Sequence, residues 1–333
     1  MPTTASAIAA LAPGPIDADT SFVPVDITVD DPGPHDLLVE VRAVSVNPVD
    51  VKVRASFAVD DGPKVLGYDA SGVVTAVGSE VTRFAVGDEV YYAGVINRPG
   101  SNGALQLVDE HIVGHKPASL TFGEAAALPL TTLTAWEVLF EKLRIEKSSA
   151  GSILVVAGAG GVGSMVIQLA RTLTDLTIVA TASRENSAEW ARDLGAHHVI
   201  DPRRLRKEAS VLVPEGIDYV FSPHSRGNVE TYAEIMGVHG QVVAIDEPEG
   251  LDTFPLKSKS QSWHWELMFS KALYLPSDDS QHRILEEVAR LVDEGTLRTT
   301  INHVFAGFTV ENLREAHRIS ESGGAIGKAV VVR

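Results

Sequence analysis

The run Ile153-Leu-Val-Val-Ala-Gly158-Ala-Gly160-Gly161-Val162-Gly163 carries the strongest chemical pattern in the chain. It is a G-x-G-x-x-G placed directly after an apolar strand pattern and directly before a helical one. Each glycine meets a physical demand: Gly158 a tight turn, Gly160 close approach of a pyrophosphate, Gly163 close packing of helix on strand. The N-terminus of the following helix adds unpaired N–H groups and a favourable dipole for an anion. The pattern predicts a dinucleotide. An NAD site usually carries Asp or Glu about 20 residues beyond the glycines. Here the second strand ends Val179-Ala-Thr181-Ala-Ser183-Arg184, with no acid at its tip. The Ser183 hydroxyl and the Arg184 guanidinium suit a 2′-phosphate, so NADPH is expected. The bland alternative for Arg184 is a solvated residue in the first turn of a helix. Ser222 and Ile245 fall at the C-terminal ends of later strand patterns, where open α/β sheets bind ligands.

The elements needed to position these residues are legible around them. From Ser152 onward strand and helix patterns alternate. The strand patterns are Ile153–Ala157, Thr177–Thr181, His198–Ile200, Tyr219–Ser222 and Val242–Ile245, with helices between them. Continuous apolar strands between helices predict a parallel, doubly wound sheet covered on both faces. Residues 1–125 read instead as mostly β. Val23–Val29 and Asp36–Val46 alternate with period two, and short Gly- and Pro-punctuated strands suggest a barrel-like domain. Phe122–Leu143 has helical spacing. After Gly250 the alternation loosens: Leu267–Leu275 reads as one more strand, and Gln281–Asp293 and the stretch around Val310–Ile319 as helices. Lys328–Val332 reads as a closing strand.

Composition excludes several function classes. The formal net charge of −16 over 333 residues argues against a nucleic-acid surface, which needs clustered Lys and Arg. With no cysteine there is no disulfide and no thiolate-ligated metal. No run approaches the roughly 20 apolar residues of a membrane span, and the opening MPTTASAIAALAPGP has no basic n-region. A cytoplasmic protein with no membrane partner is expected.

The glycine turn occurs with Asn47-Pro-Val-Asp50, Leu66-Gly-Tyr-Asp-Ala-Ser-Gly72, Val86-Gly-Asp-Glu-Val90, Leu128-Pro-Leu-Thr-Thr-Leu-Thr134-Ala-Trp136 and Gly323-Gly-Ala-Ile-Gly327-Lys328. As an ordered set these motifs resemble the medium-chain dehydrogenase/reductase superfamily. Within it the chain is similar to the zinc-independent quinone oxidoreductase (zeta-crystallin-like) branch and its "zinc-type alcohol dehydrogenase-like" subgroup. The resemblance implies an α/β fold: a GroES-like, mostly-β catalytic domain (1–127 and 277–333) interrupted by a Rossmann domain (128–276). It implies hydride transfer from NADPH to a quinone, enone or aldehyde. It also implies a homodimer formed by Rossmann edge strands, for which Leu267–Leu275 is the candidate.

Zinc-dependent relatives place Cys or Asp, then His-Glu, around a catalytic metal; at those places stand Asn47 and Tyr68-Asp69. Asn and Tyr are poor zinc ligands, and the 11 histidines show no H-E-x-x-H spacing, so no metal is expected. His111 and His115 are read onto a strand. By the resemblance Asn47 lies near the nicotinamide and donates to substrate oxygen; capping a helix that starts at Pro48 is the equal alternative. Asp50 orients Asn47 or Lys52, or is an ordinary first-turn acid. Lys52 stands where related reductases often carry Tyr, and is a proton donor or a solvated helix lysine. Tyr68 lines the substrate pocket or belongs to the core. Thr134, with Thr131 as neighbour, matches the position that approaches the nicotinamide. Lys328 reaches the same end of the cofactor or lies on the surface. Trp263, Trp265 and Phe269 roof the substrate or serve as dimer or domain core. The rival functions are a zinc-free alcohol or aldehyde dehydrogenase and an NADPH-binding redox sensor without turnover.

Overall fold

The computed structural model describes residues 2–58 and 62–333. The chain forms two compact units, Met1–Leu133 with Phe269–Arg333, and Thr134–Met268. These divisions fall at 133/134 and 268/269, and the expected domain junctions are 127/128 and 276/277.

The first unit begins with β1 (Thr3–Ala10), which the sequence reading passed over because its small residues leave no clear alternation. It pairs antiparallel with β2 (Val23–Val29) from Thr3↔Val29 to Ala9↔Val23. Next comes β3 (Asp36–Ser45), whose Leu37, Val39 and Val41 are fully buried on one face, as period-two alternation requires. Helix α1 (Pro48–Ser56) follows, with Pro48 at its first position. Then come β4 (Lys64–Val65), β5 (Ala70–Val77), β6 (Glu89–Tyr92), β7 (Leu105–Asp109) and β8 (Val113–His115). His115 ends β8, whereas His111 sits in a 3₁₀ turn (Glu110–Ile112), not on a strand.

The helical pattern over Phe122–Leu143 is three pieces. Helix α2 (Phe122–Ala126) is opened by a reciprocal Thr121–Glu124 capping box. Pro129, which lacks the N–H a continuing helix needs, restarts the chain as α3 (Pro129–Trp136), followed by a π-helical turn over Glu137–Lys142.

In the second unit the alternation appears as expected: β9 (Ser152–Val155), α4 (Gly161–Leu173), β10 (Thr177–Thr181), α5 (Glu185–Asp193), β11 (His198–Ile200), α6 (Leu205–Leu212), β12 (Ile217–Ser222), α7 (Val229–Ile235) and β13 (Met236–Ala244). Strand β14 (Ser262–Trp265) completes an all-parallel sheet of order β11-β10-β9-β12-β13-β14. Every residue of β9, at its centre, is buried. The order reverses beside β9, so the switch point of a Rossmann fold lies at its C-terminal end.

The expected strand over Leu267–Leu275 is absent. Phe269–Tyr274 is helix α8, and the edge strand is β14 instead. Met268, Phe269, Ala272 and Leu273 recur at helical spacing. Met268 and Phe269 are buried, and Ala272 and Leu273 pack on the first unit's core. Back in the first unit, α9 (Ser280–Asp293), β15 (Ile301–Ala306), α10 (Val310–Glu321) and β16 (Lys328–Val332) follow. Strand β16 pairs antiparallel with β3, placing Val330 opposite Ser45. It joins a sheet of order β15-β16-β3-β5-β6-β8, with β7 also on β3. Among the described residues no helix is long and apolar enough to cross a membrane.

Candidate active site

In the second unit the glycine turn follows β9. Ala157 takes a left-handed conformation (φ 54°), and the N–H groups of Ala157 and Gly158 donate to the side chain and carbonyl of Thr181 at 2.9 and 3.1 Å. The turn is thereby tied to the end of β10. A Cβ on Gly163 would stand 2.5 Å from the Ala157 carbonyl oxygen, and one on Gly158 2.8 Å from the Ala180 Cβ. Gly160 caps α4, and Gly161, Val162 and Gly163 form its first turn, so its free N–H groups open at this turn. That is the cradle a pyrophosphate requires, and it fits the dinucleotide read from the sequence.

Ser183 and Arg184 are exposed immediately beyond β10, Arg184 at the N-cap of α5. Buried Ser222 ends β12 and shares a 2.9 Å hydrogen bond with Tyr232. The Ile245 N–H donates to the Ser222 carbonyl at 3.1 Å, which brings these two residues together. The glycine turn, Ser183, Arg184, Ser222 and Ile245 therefore all sit at the C-terminal edge of one parallel sheet. Thr134 is buried on α3. Thr181 had no role in the sequence reading; a hydroxyl at the tip of the second strand was its only trace.

The first unit assembles a second, buried constellation. Asn47 is 1% exposed, Asp69 0% and Lys328 4%. The Asn47 amide donates to the Asp69 carboxylate at 2.8 Å and to the Tyr68 carbonyl at 3.2 Å, while its oxygen accepts from the Lys328 ammonium. Lys328 also donates to the Val46 carbonyl at 2.9 Å and stands 3.2 Å from the Asp69 carboxylate. The other Asp69 oxygen accepts the Leu130 N–H at 2.8 Å, in the first turn of α3, where a negative charge is favoured. Asp50 accepts from the backbone N–H groups of Asn47 (2.8 Å) and Gly67 (3.0 Å). It thus fixes the backbone of Asn47.

Both amide hydrogens of Asn47 are engaged within the protein, so in this arrangement it holds the network together instead of offering a hydrogen to a substrate. Lys328 is interior, and Lys52 is exposed on α1, apart from the buried set. Tyr68 is fully buried with Phe269 edge-on at 5.7 Å, and its hydroxyl has no hydrogen-bond partner. Burial, reinforced by the Asp50 charge, pushes the Tyr68 phenol well above its usual range, so it stays neutral and keeps its hydrogen. Burial pushes the Asp50 carboxyl up to about 7, against the pull of the Asn47 N–H and Lys328. Burial likewise raises the Asp69 carboxyl and lowers the Lys328 ammonium, while each charge draws the other back.

Sequence reasoning gave Asp69 no role. Its trace was the one charged residue in the run Leu66–Val74: a buried charge must be paired.

Two family models match the chain, an alcohol dehydrogenase GroES-like domain over residues 33–134 and a zinc-binding dehydrogenase domain over residues 194–331. A zinc-type alcohol dehydrogenase-like protein of Staphylococcus epidermidis is 37% identical over 329 residues, covering 95% of this chain and 96% of its own. A tomato (Solanum lycopersicum) 2-methylene-furan-3-one reductase is 39% identical over 229 residues, 66% of this chain and 57% of its own. A crystal structure from Rhizobium etli, named for zinc-dependent alcohol dehydrogenase, superposes with a TM-score of 0.95 at 46% identity, covering 99% of this chain and 98% of that one.

Proposed function

The chain belongs to the medium-chain dehydrogenase/reductase superfamily, and on that premise we propose that it reduces quinones or α,β-unsaturated carbonyl compounds with NADPH, without a catalytic metal. The observation that carries this reading is the buried Asn47–Asp69–Lys328 network. At the places where zinc relatives hold their ion, this chain has an amide and a phenol, and the resident cation beside them is an ammonium. Two further points support it. No acid stands at the tip of β10, and Arg184 just beyond it suits a 2′-phosphate. The tomato relative is named for an acceptor whose C=C bond is conjugated to a carbonyl.

NADPH supplies the hydride, and this chain's residues do the rest. The glycine turn and the first turn of α4 hold the pyrophosphate, Ser183 and Arg184 the 2′-phosphate, and Thr134, Ser222 and Ile245 border the cofactor beyond it. Charge develops on the acceptor's carbonyl oxygen as hydride arrives, and a preorganised donor lowers that barrier. The Tyr68 hydroxyl, neutral and without a partner, is that donor; the Asn47 amide, itself held by Asp69 and Lys328, donates to the backbone carbonyl of Tyr68 and so positions it. Water completes the reduction by protonating the carbon next to the carbonyl. Oxidation of a simple alcohol is the weaker reading, because it needs a Lewis acid to lower the hydroxyl pKa. A homodimer would use β14, whose Trp265 is 50% exposed on an open sheet edge.

The deciding experiment is NADPH oxidation at EDTA-treated enzyme with a panel of quinones, enones and simple aldehydes. Turnover of a quinone or enone that survives EDTA is expected. Activity lost with EDTA while far-UV circular dichroism and melting temperature stay unchanged, and restored by zinc, would overturn the metal-free reading; NADPH binding with no turnover of any acceptor would favour a sensor. Tyr68→Phe separates chemistry from folding. Removing a buried hydroxyl that has no partner leaves stability unchanged or slightly higher, while kcat is expected to fall at least about tenfold. An unchanged kcat would remove Tyr68 from the mechanism.

A further inference from the structure

At the opposite end of β3 from Asn47 lies a second group of ligating side chains. His35, just before β3, is held against the Glu110 turn by the Glu110 N–H, which donates to the His35 carbonyl at 2.9 Å. Ligating atoms of His35, Glu110 and His111 lie within 4.8 Å of one another. Glu110 is 1% exposed. Its Oε2 accepts the N–H groups of Thr82 and Arg83, each at 3.1 Å, and its Oε1 faces His35 Nδ1 at 3.0 Å. One oxygen is anchored and the other is presented.

Each imidazole is backed by its own carboxylate. His111 Nδ1 lies 2.6 Å from Asp109 Oδ1, and His35 Nε2 lies 3.3 Å from Glu80 Oε2. A carboxylate only accepts, so His111 Nδ1 carries the proton and its Nε2 lone pair is left for a ligand, while His35 Nδ1 donates to Glu110 Oε1 and would release that proton on binding an ion. This is the outer-shell arrangement that orients metal-binding histidines. We propose that His111 Nε2, His35 Nδ1 and Glu110 Oε1 bind a divalent transition ion of the zinc type, with Asp109 and Glu80 as outer partners and water in the fourth position.

The geometry is close to what the ion requires. Tetrahedral zinc with bonds of about 2.0–2.1 Å needs ligand atoms about 3.3 Å apart; His35 Nδ1 and Glu110 Oε1 are 3.0 Å apart. The two imidazole rings meet edge to face, centroids 5.1 Å apart, and the ligand atoms of the set lie within 4.8 Å of one another.

These residues stand away from the places where zinc relatives bind a catalytic ion. β3 separates them from Asn47 by about 30 Å, at roughly 3.3 Å per residue. The ion would tie the loop at Thr82 and the turn at Glu110 to the start of β3, stabilising the fold without entering the chemistry.

The test is titration of the EDTA-stripped, full-length enzyme with Zn²⁺ by calorimetry, and with Co²⁺ by visible absorption. One tightly bound equivalent per chain is expected, with a rise in melting temperature and a tetrahedral Co²⁺ spectrum. His35→Ala and His111→Ala should each weaken binding at least tenfold. Asp109→Asn, which keeps shape and all three ligands, should weaken it about 10- to 100-fold. His303→Ala, at an exposed histidine on β15, should leave it unchanged. Wild-type affinity in both His111→Ala and Asp109→Asn, or no stoichiometric binding by the wild type, would overturn the site. Turnover that survives EDTA stands or falls separately, because the readout here is binding and not activity.

Discussion

Lys328→Met is expected to lower stability by about 3–5 kcal/mol, the cost of leaving one charge of a buried pair without its partner. The ammonium is fully interior, 3.2 Å from the Asp69 carboxylate and bonded to Asn47 and Val46. Methionine matches its length but not its charge. Asp69 would keep the Asn47 and Leu130 N–H donors, yet face the low-dielectric interior without a cation. A urea titration followed by far-UV circular dichroism reads the loss as a lower midpoint at unchanged slope. The double variant Asp69→Asn/Lys328→Met removes both charges and should recover most of the loss, since replacing a whole buried ion pair is often close to neutral. If Lys328→Met costs less than about 1 kcal/mol, as an exposed pair would, the network is not the interior ion pair described above. If the double variant regains stability but not turnover, the pair serves the reaction and not merely the fold.

That network also marks where the sequence stops being legible. Lys328 is visible in the closing Gly-Lys pair, but nothing local says that its side chain turns inward. The reason is the pairing of β16 with β3, a contact across nearly the whole chain, and periodicity is silent on which distant strand a strand will join. Asp69 is hidden for the same reason: its three partners come from α1's N-cap, the first turn of α3 and β16. The Rossmann unit is the opposite case. Its strands are continuous apolar runs joined by local crossovers, and its glycine turn declares its chemistry within eleven residues. Even there the pattern misleads at Leu267–Leu275, where a short apolar run fits strand and helix alike. The choice was made by Phe269, Ala272 and Leu273, whose spacing lays one helical face on the first unit's core. The His35–Glu110–His111 group went unread because its members are 75 residues apart, joined by the β3–β7 register that sets Asp36 opposite Asp109.

The proposed preference for NADPH is testable by a single substitution. Arg184→Ala is expected to weaken NADPH binding about 10- to 100-fold, the worth of a charged hydrogen bond of roughly 1.5–3 kcal/mol. NADH binding should change by less than about threefold, since a guanidinium has no phosphate to grip on that cofactor. The geometry behind the asymmetry is specific. Thr181, the last residue of β10, has its hydroxyl committed to the Ala157 N–H and its carbonyl to the Gly158 N–H. On the proposed reading the ribose substituent would meet the next exposed groups, Ser183 and Arg184. Dissociation constants from cofactor fluorescence, measured for both nucleotides at two ionic strengths, test this directly. An ion pair to phosphate should also lose its salt dependence in the variant. Equal losses for both nucleotides would mean that Arg184 acts on α5, whose N-cap it occupies, and not on the phosphate. A preference for NADH in the wild type would place the specificity in residues other than these two.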